Sequence, residues 1–214
     1  MTADLTTGLH WLGHDSFRIE WEGITIYIDP YRLKGGPPAD LILITHDHGD
    51  HCSPEDVQRI RKADTIIVTV ASAAAKLGGA AEIILPGDER TVKGVHIRAV
   101  PAYNTNKFRS PGNPFHPREK GFVGFVLTLG DRRIYHTGDS DHIPEMADIE
   151  TDVALLPVSG IYVMTAEEAA EAARAINPKL SIPMHVGADI GELSATETFK
   201  SLASVPVIIL PLEK

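Results

Sequence analysis

The stretch LILITHDHGDHCSP, residues 41–54, constrains this chain more than any other. Four consecutive aliphatic residues, Leu41 to Ile44, suit a strand buried on both faces. The run then stops at three His and two Asp within six positions. Ionisable side chains at the end of a buried strand are costly unless they are paired or coordinated. His46, His48, Asp50 and His51 on one short turn offer four nitrogen or oxygen ligands within a small volume. Imidazole with carboxylate suits zinc, and also manganese, iron or nickel. Gly49 is expected to let the backbone turn tightly between the second and third of these. Ser53-Pro54-Glu55-Asp56 reads as a helix start, with Ser as N-cap and Pro in the first turn. Cys52 reads as a small buried residue.

Other short apolar runs recur from end to end, among them SFRIEW, ITIYI, TIIVTV, GFVGFVLTL, VALLPV, LSIPM and VPVIIL. They have the length of strands, are rich in Val, Ile and aromatics, and are bounded by Gly, Pro, Asp or Asn. Helix starts are expected at Thr165-Ala-Glu-Glu168, at Ser194-Ala-Thr-Glu197 and near Ser72. The first third reads as antiparallel and hairpin-rich, and the later part alternates strand and helix. This is a β-rich α/β chain. No linker, repeat or low-complexity tract divides it, so residues 1–214 are expected to form one domain.

The formal charge of −9 and the single cysteine narrow the function classes. An acidic chain is a poor general binder of nucleic acid or of anionic membrane. One cysteine excludes an intrachain disulfide and a cysteine-based zinc finger. No apolar run approaches the roughly 18 residues of a membrane span, and a cytoplasmic location is expected. Residues 101–120, PAYNTNKFRSPGNPFHPREK, concentrate four Pro, three Asn and four basic residues. A loop of that length in a compact domain points to a functional excursion.

Two further strands repeat the design of the first. Arg133-Ile-Tyr-His136-Thr-Gly-Asp139 ends on a carboxylate, and Leu180-Ser-Ile-Pro-Met-His185 ends on an imidazole. Three strand ends bearing His or Asp beside small residues point to one convergent site. His14 lies in a glycine-flanked turn, and Tyr103 could donate a hydrogen bond to a developing oxyanion. His136, His10 and His96 read as structural.

At this point the residues resemble a known family. Thr45-His-Asp-His-Gly-Asp-His51 resembles the metal-binding signature of the metallo-β-lactamase superfamily. Thr137-Gly-Asp139 looks like its bridging-aspartate motif, and Pro183-Met-His185 like its last histidine. Trp11-Leu-Gly-His14-Asp-Ser-Phe17 and Ile26-Tyr-Ile-Asp-Pro30 resemble the opening of its UPF0173-type, ascorbate-6-phosphate-lactonase-like branch of metal-dependent hydrolases. The resemblance implies an α/β fold, an αββα four-layer sandwich, with the site at one edge between two sheets. It implies two metal positions: His46 and His48 in the first, Asp50, His51 and His185 in the second, and Asp139 bridging them. It further implies a metal-held hydroxide as nucleophile, oriented by Asp50, with zinc as the first expectation.

The chain departs from the family in one place. The superfamily supplies another His to the first position from a strand end, and here that stretch reads Val100-Pro-Ala-Tyr-Asn104. Asn104, Tyr103, water, or His116 reaching in from the long loop could take its place. A single-ion site on Asp50, His51, Asp139 and His185 is the other expectation. The substrate is expected to be a small anionic ester, lactone or phosphodiester, with His14, Tyr103, Asn104 and His116 near it. A nuclease and a non-catalytic metal or ligand sensor stand as alternatives, and assembly into a homo-oligomer is left open.

Overall fold

The computed structural model describes residues 5–78, 81–187 and 190–213. Two six-stranded sheets make up its centre. The first has the order β1-β2-β3-β4-β5-β6: Leu9–Gly13, Ser16–Trp21, Ile24–Ile28, Ala39–Ile44, Arg61–Thr69 and Glu82–Ile83. The second has the order β14-β13-β12-β11-β8-β7: Leu180–Met184, Val153–Pro157, Arg132–His136, Val123–Leu129, Val95–Pro101 and Glu89–Val92. Their inward faces, with those of the helices, form one contiguous apolar cluster. This matches the αββα arrangement expected from the resemblance.

Strand direction follows the hydrophobic pattern. β4 is buried along its whole length and lies between parallel neighbours β3 and β5, as its unbroken aliphatic run requires. β13 is buried throughout and likewise parallel to both of its partners. Only β1, β2 and β3 make the antiparallel meander expected for the first third; from β3 onward that sheet is parallel. The crossovers between its parallel strands are α1 (Pro54–Ile60) and α2 (Ala71–Leu77). The second sheet is flanked by α3 (Ala166–Ile176) and α4 (Ser194–Leu202).

The helix starts are set by side-chain chemistry. Ser53 Oγ accepts from the Asp56 N–H, and Thr165 with Glu168 closes a reciprocal capping box. Ser194 is not a cap: Leu193 occupies that position and the Thr196 hydroxyl bonds back to its carbonyl. Gly49 also differs from expectation. It does not take positive φ, and a side chain there would meet nothing closer than Lys76 Nζ at 4.0 Å. The turn is closed by the His48 carbonyl, which accepts from the N–H groups of His51 and Cys52.

The run VPVIIL, residues 205–210, is extended but not a ladder strand. Pro206 lies within it, Pro211 follows it, and neither donates an N–H. It crosses between the sheets. Ser181 N donates to Pro206 O and Ile208 N to Ser181 O, and Glu213 N donates to Trp11 O. The segment thus lies against β14, where Pro183 suits an edge position, and then against β1.

Candidate metal centre

The ends of β4, β12 and β14 meet at one edge of the sandwich, with Asp139 in the middle. Its Oδ2 lies 3.1 Å from His116 Nε2 and 3.9 Å from His46 Nε2. Its Oδ1 lies 3.2 Å from His51 Nε2 and 3.5 Å from His185 Nε2. One carboxylate therefore faces two groups of imidazoles. The first group adds His48, whose Nδ1 is 3.2 Å from His116 Nε2. Ligand atoms of His46, His48, His116 and Asp139 all fall within 4.8 Å of one another, and so do those of Asp15, His51, Asp139 and His185.

The strand ends are held at van der Waals contact. Val123 N donates to Thr45 O, tying the first sheet to the second. Gly138 has φ +61°, and a Cβ there would sit 2.9 Å from the Val123 carbonyl oxygen and 3.1 Å from Thr45 Cβ. Only glycine lets Asp139 approach the His46 turn this closely.

Each ring is aimed by its other nitrogen or by its neighbour. Asp29 accepts from Thr45 N and from the Thr45 hydroxyl, and it pairs with His51 Nδ1 at 2.8 Å. A carboxylate accepts only, so His51 Nδ1 carries a proton, and Nε2 is the nitrogen turned toward the cluster. The Thr45 hydroxyl has spent its proton on Asp29 and accepts from His46 Nδ1 at 2.9 Å. Asn104 Oδ1 accepts from both His116 N and His116 Nδ1, each at 2.8 Å. The Asn104 amide is fixed in that sense because its Nδ2 donates to Asp141 and to Tyr162 O. Ser159 Oγ pairs with His185 Nδ1 at 2.9 Å.

The result is a set of buried ring nitrogens pointing at a carboxylate. His46 Nε2, His51 Nε2, His185 Nε2 and Asp139 Oδ1 have no hydrogen-bond partner among the described residues. Such an arrangement needs positive charge between its members, supplied by a proton or by a cation. Burial lowers the basicity of His46, and the neighbouring His51 lowers it further. Burial also pulls His51 down, but Asp139 and Asp29 outweigh it and hold that imidazole well above its ordinary value. Burial would raise Asp139; the surrounding imidazoles outweigh it and keep the carboxyl well below the usual range. The donor set therefore fits divalent cations with imidazole and carboxylate ligands.

Asp50 and His14 form a pair beside this cluster. His14 Nε2 is 3.2 Å from Asp50 Oδ2. Burial brings His14 down to about 4, the Asp50 contact only partly offsetting it, so the neutral ring donates through Nε2. Burial pushes Asp50 up, but the His14 bond and the nearby His51 hold it well below the ordinary carboxylate range. Asp50 remains part-exposed, at the open side of the site.

The residues named from sequence separate into three kinds. His46, His48, His51, Asp139, His185 and His116 converge. Asp50 and His14 adjoin them. Tyr103 and Asn104 do not point into the cluster: the Tyr103 hydroxyl donates to Glu145 at 2.9 Å, and Asn104 holds His116. Asp15, Asp29, Thr45 and Ser159 were missed in roles beside these rings. Both Asp15 and Asp29 stand inside the opening motifs that resemble the family, but the sequence assigns neither of them a role. His14, Asp29 and His185 all have positive φ, at +52°, +46° and +60°. Each such residue costs about 1–3 kcal/mol and persists where the surroundings fix it.

Residues 8–185 match the family described as the beta-lactamase superfamily domain. A UPF0173 metal-dependent hydrolase of Thermoplasma acidophilum is 34% identical, over 95% of either chain. Among solved structures, a protein from Parabacteroides distasonis assigned to the metal-dependent hydrolases superposes with a TM-score of 0.83 at 36% identity, covering 96% of this chain and 93% of that one. A metallo hydrolase of Ignicoccus hospitalis superposes at 0.75 with 23% identity, covering 96% and 95%.

Proposed function

This chain belongs to the beta-lactamase superfamily, within the UPF0173 metal-dependent hydrolases, and from that membership we propose that it hydrolyses a small ester, lactone or phosphodiester at a two-ion centre. One observation carries the reading: unpartnered ring nitrogens of His46, His51 and His185 converge on the two oxygens of Asp139 at a sheet edge. His46, His48 and His116 would hold one ion, His51 and His185 the other, and Asp139 both. Zinc suits these donors, and manganese or iron would suit them as well. Ions bound there supply Lewis-acid polarisation and make a water acidic near neutral pH.

The rest is done by side chains. Asp50, kept ionised by its His14 bond and open to solvent on one side, accepts a proton from the attacking water and orients it. The buried rings and Phe122, which packs 5.1 Å from His46, keep bulk water from the inner side. His48 and Asp50 line the accessible side, where substrate enters.

Charge on the long loop favours a small substrate over a polynucleotide. Lys107 is paired with Glu168 at 2.7 Å, Arg118 with Glu145 at 2.8 Å, and Arg109 stacks over Phe115. These cations do not form an open basic groove. The sensor alternative rested on a gap in the first position, and His116 lies where that gap would be.

The test is metal analysis together with turnover of a small panel: p-nitrophenyl acetate, bis-p-nitrophenyl phosphate and a phosphorylated lactone. The expected result is about two ions per chain, chelator-sensitive activity on at least one substrate, and a loss of about 10²-fold or more in Asp50→Asn. Full activity in the chelated protein, or an unchanged rate in Asp50→Asn, would overturn the reading.

A further inference from the structure

Seven Asp among the described residues are buried: 15, 29, 40, 56, 139, 141 and 152. Five of them do ordinary structural work. Asp29, Asp40, Asp56, Asp141 and Asp152 each accept at least one backbone N–H. The exceptions are Asp139, whose Oδ1 has no hydrogen-bond partner among the described residues, and Asp15, whose two oxygens both lack one among them. Asp15 is fully buried, and a carboxylate left in that state is among the most expensive groups a core can hold. These two exceptions lie in the same place. Ligand atoms of Asp15, His51, Asp139 and His185 fall within 4.8 Å of one another.

The backbone carrying Asp15 is held from three sides. It forms the tip of the β1–β2 hairpin, after a register shift between Trp11 and Gly13. The His14 carbonyl accepts from Trp11 Nε1 at 2.9 Å and from His185 N at 3.2 Å. The Asp15 carbonyl accepts from His136 Nε2 at 2.9 Å. That ring's tautomer is fixed, because Gly138 N donates to its other nitrogen. Donors from β1, β12 and the end of β14 thus pin the turn that carries Asp15.

We propose that Asp15 is a direct ligand of the second ion, completing a set of His51, His185, Asp139 and Asp15 from four separate segments. The proposal rests on the two-ion reading above. It leaves Asp50, engaged by His14, on the substrate side of that ion. Two carboxylates and two imidazoles make the second position harder than the first, which has three imidazoles and one carboxylate.

Calorimetric titration of the metal-free protein with Zn²⁺ and with Mn²⁺ tests this on wild type, Asp15→Asn and Asp15→Ala, with thermal melts of each in both states. Wild type should take two ions. Both variants should keep one tight site and weaken the other by about 100-fold or more. Their metal-free forms should melt at or above metal-free wild type, because an uncompensated buried carboxylate is gone, while the rise in Tm on adding metal should shrink. Two ions bound with wild-type affinities in the variants would overturn the proposal. So would metal-free variants that melt well below wild type, since Asp15 would then be a structural acceptor. If wild type itself takes up no ion, the two-ion reading fails, and this outcome is read from wild type alone.

Discussion

The two halves of the centre are delivered in opposite ways. The His51 and His185 side is built from strand ends and a pinned hairpin, with Asp29 and His136 buried in the core and only Ser159 half-buried. The His46, His48 and His116 side borrows its third ring from residues 101–120, a loop held by polar contacts. Asp141 accepts from the N–H groups of Thr105 and Asn106, Asn104 spans Asp141 and Tyr162, and Lys107 and Asn106 reach Glu168 on α3. A half built on buried backbone opens only with the fold, whereas a half built on a loop can open locally. The first position should therefore be the more labile one.

The most damaging way to collapse this contrast is Asp139→Ala, which serves both halves. Metal analysis should find neither position filled, and hydrolysis should drop by about 10³-fold or more, corresponding to several kcal/mol of lost stabilisation. Retention of one ion would show that the halves do not share this residue. His116→Ala should break the contrast on one side only, lowering the metal content from two to one. Asn104→Ala and Asp29→Asn sharpen it. Each should weaken a single position by about 10–100-fold, the loop side for Asn104 and the core side for Asp29, by competition with a chromophoric chelator. Asn104→Ala should also raise amide exchange through 104–116, whereas Asp29→Asn should not.

The smallest expected effect concerns pH. Burial raises Glu168, but Lys107, the Thr165 N–H and Asn106 together outweigh it and hold its carboxyl below the ordinary value of 4.5. A group depressed on folding contributes stability that is fully present above its unfolded value and lost as pH falls through its folded one. Loop and helix α3 should thus loosen together below about pH 4.5, by less than about 1 kcal/mol for a half-buried pair that solvent still screens. Glu168→Gln should remove that acid dependence. An acid limb of the melting curve identical to wild type would assign it elsewhere.

How far the sequence foretold these halves follows from how they are delivered. His46, His48, Asp50 and His51 sit within one turn, so their spacing alone exposed them. Asp139 and His185 end apolar strands, and the abrupt change from Ile or Met to an ionisable residue was legible. His116 carries no such signal, because the loop that brings it follows Pro and Asn geometry rather than a period. Asp15 and Asp29 were hidden for another reason. An Asp at a hairpin tip or strand end is most often a turn residue, and only packing shows which oxygens lack a partner. In the fold, unbroken apolar runs correctly marked β4 and β13, whereas 205–210 has the composition of a strand but contains Pro206 and is followed by Pro211.

That last segment has a consequence for solubility. β1 and β14 are the outermost strands of their sheets on the same side, and open strand rims recruit other chains into continuous sheets. Residues 205–213 lie across both rims, and Arg18 with His10 clasps Glu213 at 2.7 Å. Pairing of another chain at these two rims would have to displace residues 205–213, so loosening the Glu213 clasp should show first as turbidity on standing rather than as lost catalysis.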